Sequence, residues 1–308
     1  MRISVMGRRH REVLLLGALT LLGLGACQAP SAENAQPKAQ VLTTFTVLAD
    51  MAQAVAGKNL TVESLVKPGA EVHGYEPTPQ DLERGQSAQL ILDNGLNLER
   101  WAERFYQNLP QAPRVTLSEG VKPLPIAGDS YAGKPNPHAW MSPQNALIYV
   151  DNIRQALSRL DPANAEIYQK NAEAYQTQIR DLDQRLRQAV AQIPPEQRYL
   201  VSCEGAFSYL ARDYGLKEIY LWAVNAEQQA TPKQVARVIE AVKAKQIPAV
   251  FCESTVNDQA QRQVAQESGA RYGGVFYVDS LSPPDGPAPT YLQLLEHNVN
   301  TLIQGLVP

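Results

Sequence analysis

PANAEIYQKNAEAYQTQIRDLDQRLRQAVAQI, residues 162–193, is the segment on which the fold turns. After Pro162 no Gly or Pro interrupts it until Pro194. Ile167, Ala174, Ile179, Leu182, Leu186 and Val190 recur near the spacing of a helix with one apolar side. At 1.5 Å per residue this helix is a rod of roughly 45 Å, long enough to run along two lobes. On each side of it strand-like and helix-like patterns alternate. Before it, strands are expected at 41–47, 60–66, 89–92 and 114–117, with helices at 49–56, from Pro79 and at 98–108. After it, strands are expected at 199–203, 218–221, 249–252 and 274–278, with helices at 207–214, 232–244, 259–267 and 291–306. Two such runs predict an α/β fold with two Rossmann-like lobes, 41–161 and 194–308, whose sheets are mostly parallel. A long rigid helix at 162–193 joins them, and it would limit hinge opening.

Helix starts share one device. Thr78-Pro79, Ser142-Pro143 and Thr231-Pro232 each put a hydroxyl N-cap before a Pro at the first helical position. Asp81 and Gln234 stand where a capping box needs its third residue.

The N-terminus reads as an export signal, residues 1–26. Arg2, Arg8, Arg9 and Arg11 precede an apolar run at 13–24, shorter than the roughly 20 residues that span a bilayer. Leu24-Gly25-Ala26-Cys27 resembles a bacterial lipobox, in which the chain is cut before the Cys and its thiol takes a lipid. Cys27 is therefore the candidate lipidation site, and Arg8-Arg9 leaves twin-arginine export as an alternative route. Residues 27–40 have no large apolar side chain and read as a flexible tether. No later stretch is apolar enough to span a membrane. The expectation is a monomer on the periplasmic side of the cytoplasmic membrane, held by its lipid. Cleavage removes four Arg and one Glu. Of 28 basic and 31 acidic side chains, 24 and 30 then remain, a net charge of −6. Such a balance argues against a nucleic-acid partner and suits a protein that handles cations.

Three histidines remain in the mature chain. Two lie in proline-rich turns, His73-Gly-Tyr-Glu-Pro-Thr-Pro79 and Asn136-Pro-His138-Ala-Trp140. Imidazole is the commonest metal ligand, and prolines fix the chain around each ring. A ring that only packs its own turn is the plainer reading of either alone; the pair points to a shared site. Both rings precede a helix cap by four or five residues, so both should sit at one end of the first sheet, where open α/β sheets bind ligands. In the second lobe Glu204 and Asp279 each fall just past the end of an expected strand. Glu253, after Val250-Phe251-Cys252, is placed as well as Glu204. The spacings hold no local metal motif, so any site must be assembled by the fold.

Several segments resemble the cluster A-I metal-binding proteins of ABC transporters, nearest their cyanobacterial manganese-binding lipoproteins. They are the two histidine turns, Asn94-Gly-Leu-Asn-Leu-Glu99, Cys203-Glu204-Gly-Ala-Phe-Ser-Tyr209 and Tyr277-Val-Asp279-Ser-Leu281. The resemblance covers nearly the whole mature chain. It implies an extracytoplasmic solute-binding protein, not an enzyme, that delivers one metal ion to a membrane permease. It implies His73, His138, Glu204 and Asp279 as ligands. Zinc-type members usually carry a third His where Glu204 stands and a His-rich loop in the first lobe; this chain has no His between 73 and 138. Two imidazoles and two carboxylates make a mixed N/O set that suits Mn²⁺, with Zn²⁺ and Fe²⁺ as alternatives. The rival class is an exported metalloenzyme, which needs an open coordination position and a nearby acid or base.

Cys203 and Cys252 end the first and third strands of the second lobe, which are neighbours in a flavodoxin-like 2-1-3-4 order. Adjacent strands are close enough for a disulfide, and an oxidising compartment favours one.

Overall fold

The computed structural model describes residues 39–109, 112–128, 131–224 and 230–307. The expected signal, Cys27 and all but the last two residues of the tether lie outside them. Four short strands, β1 (Gln40–Thr43), β2 (Thr61–Ser64), β3 (Leu90–Asp93) and β4 (Arg114–Thr116), form a wholly parallel sheet in the order β2-β1-β3-β4. Val41 pairs with Val62 on one side and Leu90 on the other. Helices α1 (Thr46–Ala56), α2 (Pro79–Ser87), α3 (Ala102–Gln107) and α4 (Pro143–Leu160) connect and follow these strands.

Helix α5 (Ala165–Ala191) is the long connector. Its 27 residues span about 40 Å. It packs on α1 and α4 of the first half and on α9 (Tyr291–Leu306) of the second. The second half continues with β5 (Tyr199–Glu204), α6 (Ser208–Tyr214), β6 (Lys217–Trp222), α7 (Pro232–Ala244), β7 (Ala249–Glu253), α8 (Gln259–Ser268) and β8 (Arg271–Phe276). β5 runs parallel to β6, and β7 parallel to β8. Among the described residues no helix is long and apolar enough to cross a membrane.

The helix starts follow their local chemistry. Thr78 with Asp81 and Thr231 with Gln234 close full capping boxes, and Ser142 accepts from the Asn145 amide. Other expectations are corrected. The first strand stops at Thr43, and Val47 belongs to α1, where it is fully buried. The last strand begins at Arg271 and ends at Phe276, so Val278 lies in the following turn. On α5 the buried side in the first three turns is Tyr168, Ala172 and Tyr175, whereas Ile167 is exposed. A tyrosine buries its ring and leaves its hydroxyl to a partner, here Tyr168 donating to Asp161 at 2.6 Å.

β5 and β7 lie side by side, as the 2-1-3-4 order requires, but no ladder pairs them. The seam is closed by side chains. A disulfide joins Cys203 to Cys252 with Cα atoms 4.9 Å apart. Buried Gln261 donates from one amide nitrogen to the carbonyls of both Val201 and Phe251.

Candidate metal centre

His73 sits in the β2–α2 connection. Trp101 Nε1 donates to the Val72 carbonyl at 2.8 Å, Glu71 accepts from the His73 amide at 2.8 Å, and the Tyr75 hydroxyl reaches the capping Asp81 at 2.7 Å. These bonds fix the backbone on both sides of the ring. His138 ends an Asx turn: the Asn136 carboxamide oxygen accepts from the His138 amide at 3.0 Å and from ring Nδ1 at 2.9 Å. Nδ1 thus holds the proton, and Nε2 presents its lone pair.

Glu204 is the last residue of β5 and Asp279 follows β8 by three residues. The turn that carries Asp279 is tied to the first half at three points. Trp140 Nε1 donates to the Val278 carbonyl (3.1 Å), the Gly69 amide to Ser280 Oγ (2.6 Å) and the Leu281 amide to Thr46 Oγ1 (2.9 Å).

The fold brings the four side chains together. His73 Nε2 lies 3.2 Å from His138 Nε2, 3.3 Å from Glu204 Oε1 and 3.7 Å from Asp279 Oδ2. His138 Nε2 lies 3.4 Å from Glu204 Oε1 and 3.8 Å from Asp279 Oδ1. One donor atom from each lies within 4.8 Å of all the others. Ligands about 2.1 Å from a common ion stand roughly 3.0–3.5 Å apart, so these separations suit donors around one cation. All four residues are buried, His73 the least at 7 % exposure. Burial, reinforced by His138, holds the His73 imidazole well below its usual range, and burial pushes His138 down to about 3. Both rings are therefore neutral, and two carboxylates have the charge to match a dication.

Glu253 was the competing carboxylate. It lies behind Glu204 and accepts from the Glu204 amide at 3.2 Å, outside the cluster of four. Burial, and next the Glu204 charge, push its carboxyl well up. A hollow of about 630 Å³ by α7 and α8 contains none of the four residues. A smaller one of about 280 Å³, lined by Leu96, Asn97, Tyr131 and Pro137, opens on His73.

Asn136 was passed over in the sequence. Besides fixing His138, its amide nitrogen donates to the Gly205 carbonyl (2.7 Å) next to Glu204, so one carboxamide joins residues adjoining two of the four. An Asn two residues before a His, with Pro between, is a readable Asx signal. Asn136→Ala is expected to weaken metal binding roughly 10–100-fold, the usual cost of losing a group that orients a ligand. Metal titration of the variant checks this, and unchanged affinity would refute it.

Residues 41–305 match the family model described as the periplasmic component A of the zinc-uptake complex. The chain belongs to this family. The iron-binding protein YfeA of Yersinia pestis is 52 % identical over 286 residues, 93 % of this chain and 92 % of that protein. The manganese-binding lipoprotein MntA of Halalkalibacterium halodurans is 35 % identical, over 96 % of this chain and 97 % of its own. Among solved structures, the Mn-bound periplasmic metal-binding protein of Candidatus Liberibacter asiaticus superposes with a TM-score of 0.81 at 42 % identity, covering 87 % of this chain and all of that one. The periplasmic zinc-binding protein TroA of Treponema pallidum gives 0.83 at 26 % identity, over 88 % of this chain and 100 % of its own. This family member is an extracytoplasmic metal-binding subunit of an ABC transporter rather than an enzyme, and it works with membrane subunits.

Proposed function

We propose that the chain captures Mn²⁺ with His73, His138, Glu204 and Asp279 and hands it to the permease of an ABC transporter. A lipid on Cys27 and the tether that follows it hold the protein at the membrane. The observation that carries the reading is the buried meeting of two neutral imidazoles and two carboxylates, contributed by both halves of the chain. Carboxylates bind through one or both oxygens and can raise coordination above four, which suits Mn²⁺ better than the tetrahedral habit of Zn²⁺. A manganese-binding name and an Mn-bound structure among its relatives support the same choice. Fe²⁺ is the second reading, because the 52 % identical relative is named an iron-binding protein. Elemental analysis of protein taken from its native membrane under metal-limited growth decides between them. Manganese at one ion per chain is expected; iron or zinc in its place would overturn the choice of metal.

The anchor is tested separately. Cys27→Ser is expected to release a soluble chain with metal binding intact, and N-terminal analysis of the wild type should find Cys27 first. A mature chain that begins elsewhere would end the lipoprotein reading.

A further inference from the structure

Two carboxylates outside the centre converge on His138 from opposite halves of the chain. In the first, Glu99 is buried beneath the turn after β3, where it accepts from Thr44 Oγ1 (2.7 Å), the Asn94 amide (2.7 Å) and the Gly95 amide (3.2 Å). The turn it braces is unusual: Gly95, Leu96 and Asn97 have φ of 78°, 53° and 65°, left-handed values that Leu in particular rarely adopts. Asn94 then donates through its side chain to the carbonyl of Pro137 (3.0 Å), the residue before His138, while the Tyr149 hydroxyl fixes its carboxamide oxygen at 2.6 Å. In the second half, Glu218 on β6 accepts from the Phe207 amide (2.8 Å) and from Ser208 Oγ (2.5 Å). Ser208 Oγ in turn accepts from Asn136 (3.2 Å), whose oxygen holds the His138 ring.

We propose that Glu99 and Glu218 are positioning residues for the metal centre, and that their charged carboxylates hold His138 in its ligating pose through Asn94 and Asn136. The inference rests on the metal-capture reading above. Each carboxylate oxygen receives an N–H or O–H. Protonation would remove the charge that strengthens those bonds and so loosen the brace, which is tightest with both groups ionised.

The same geometry makes metal affinity sensitive to acid. Burial, and next the charge of Asp93 on β3, push the Glu99 carboxyl up to about 7; burial does the same for Glu218. Tyr106 of α3 and Tyr149 of α4 face Glu99 with neutral hydroxyls, and Arg114 of β4 lies 3.7 Å from Asp93. Glu253 of β7 faces Glu218, and burial with the Glu204 charge pushes its carboxyl well up. A carboxyl whose value is raised from 4.5 to about 7 in the fold lends stability that is present in acid and lost as pH rises through that window. Acid should therefore weaken metal binding without weakening the metal-free fold. Denaturation, in contrast, would lower both together.

The test titrates Mn²⁺ into wild type, Glu99→Gln and Glu218→Gln between about pH 8 and about pH 6, with thermal unfolding of the metal-free forms at each pH. The wild type should lose roughly tenfold more affinity over this range than either variant, each variant should bind more weakly than wild type at the upper end, and metal-free melting should not fall. Ser208→Ala, which cuts the link from Glu218 to Asn136 and keeps the carboxylate, should weaken binding as Glu218→Gln does. Parallel pH profiles in wild type and variants, wild-type affinity in the variants, or melting that falls in step with affinity would each overturn the proposal. If the Gln variants fail to fold, a wild-type affinity that stays flat across the range overturns it, as does unaltered binding by Ser208→Ala. A wild-type chain that binds no divalent metal would sink the metal reading itself; normal binding with unaffected variants sinks only this inference.

Discussion

Glu204→His should lose Mn²⁺ affinity by two orders of magnitude or more while holding Zn²⁺ within a few-fold of wild type or tighter. Glu204 Oε1 stands 3.3 Å and 3.4 Å from the two imidazole nitrogens, with the side chain wholly buried, so its charge acts on the ion with little screening. Removing one partner of a buried charge pair costs about 3–5 kcal/mol. At 1.4 kcal/mol per factor of ten that is roughly a hundredfold to a few thousandfold in affinity. A neutral imidazole supplies one nitrogen and no second oxygen. Zn²⁺ accepts this readily, because three histidines and a carboxylate complete a tetrahedron. Mn²⁺ prefers harder and more numerous donors and does not. Asp279→Ala removes a proposed ligand common to both ions and should weaken both by a similar factor. Competition titrations of the two variants with Mn²⁺ and Zn²⁺ check the pair of expectations. Equal losses of both metals in Glu204→His would leave this residue without a role in selectivity.

Replacing both Cys203 and Cys252 by Ala should lower the unfolding free energy of the metal-free protein by about 4 kcal/mol. The bond closes a separation of 49 residues, and constraining a loop of that size in the unfolded chain accounts for the figure. The native state adds a reason for a large effect. β5 and β7 share no ladder, so the disulfide and the two bonds of Gln261 are prominent among the links across the seam. Glu204 and Glu253 directly follow the two cysteines, so loosening the seam should also weaken metal binding, by less than the ligand substitutions do. Denaturant unfolding of oxidised wild type and the double variant measures the first effect. A difference below about 1 kcal/mol would mean that packing and the Gln261 bonds hold the seam without the disulfide.

Features governed by neighbours a few residues apart were legible before any coordinates. The caps at Thr78, Ser142 and Thr231 each depend on a hydroxyl and an amide three residues on, and that relation is written in the chain. The same holds for the alternation of strands and helices, and for the two proline-bound histidine turns. Where element edges were misjudged, longer-range packing prevailed: Val47 serves α1 because the first sheet ends early, and Tyr168 displaces Ile167 because its ring has a pocket and its hydroxyl a partner. Spacing could not separate Glu204 from Glu253, since both end a buried parallel strand. Resemblance to a family favoured Glu204, and only the tertiary structure gave the physical reason. Glu204 meets two imidazoles contributed from 66 and 131 residues away, while Glu253 lies behind it, bonded to the Glu204 amide and outside the cluster. The roles of Asn136 and Glu99 belong to the same class. Their hydrogen-bond partners at Gly205 and Thr44 lie 69 and 55 residues distant, and contacts of that range are fixed by the way two sheets and one long helix pack, not by any local pattern of side chains.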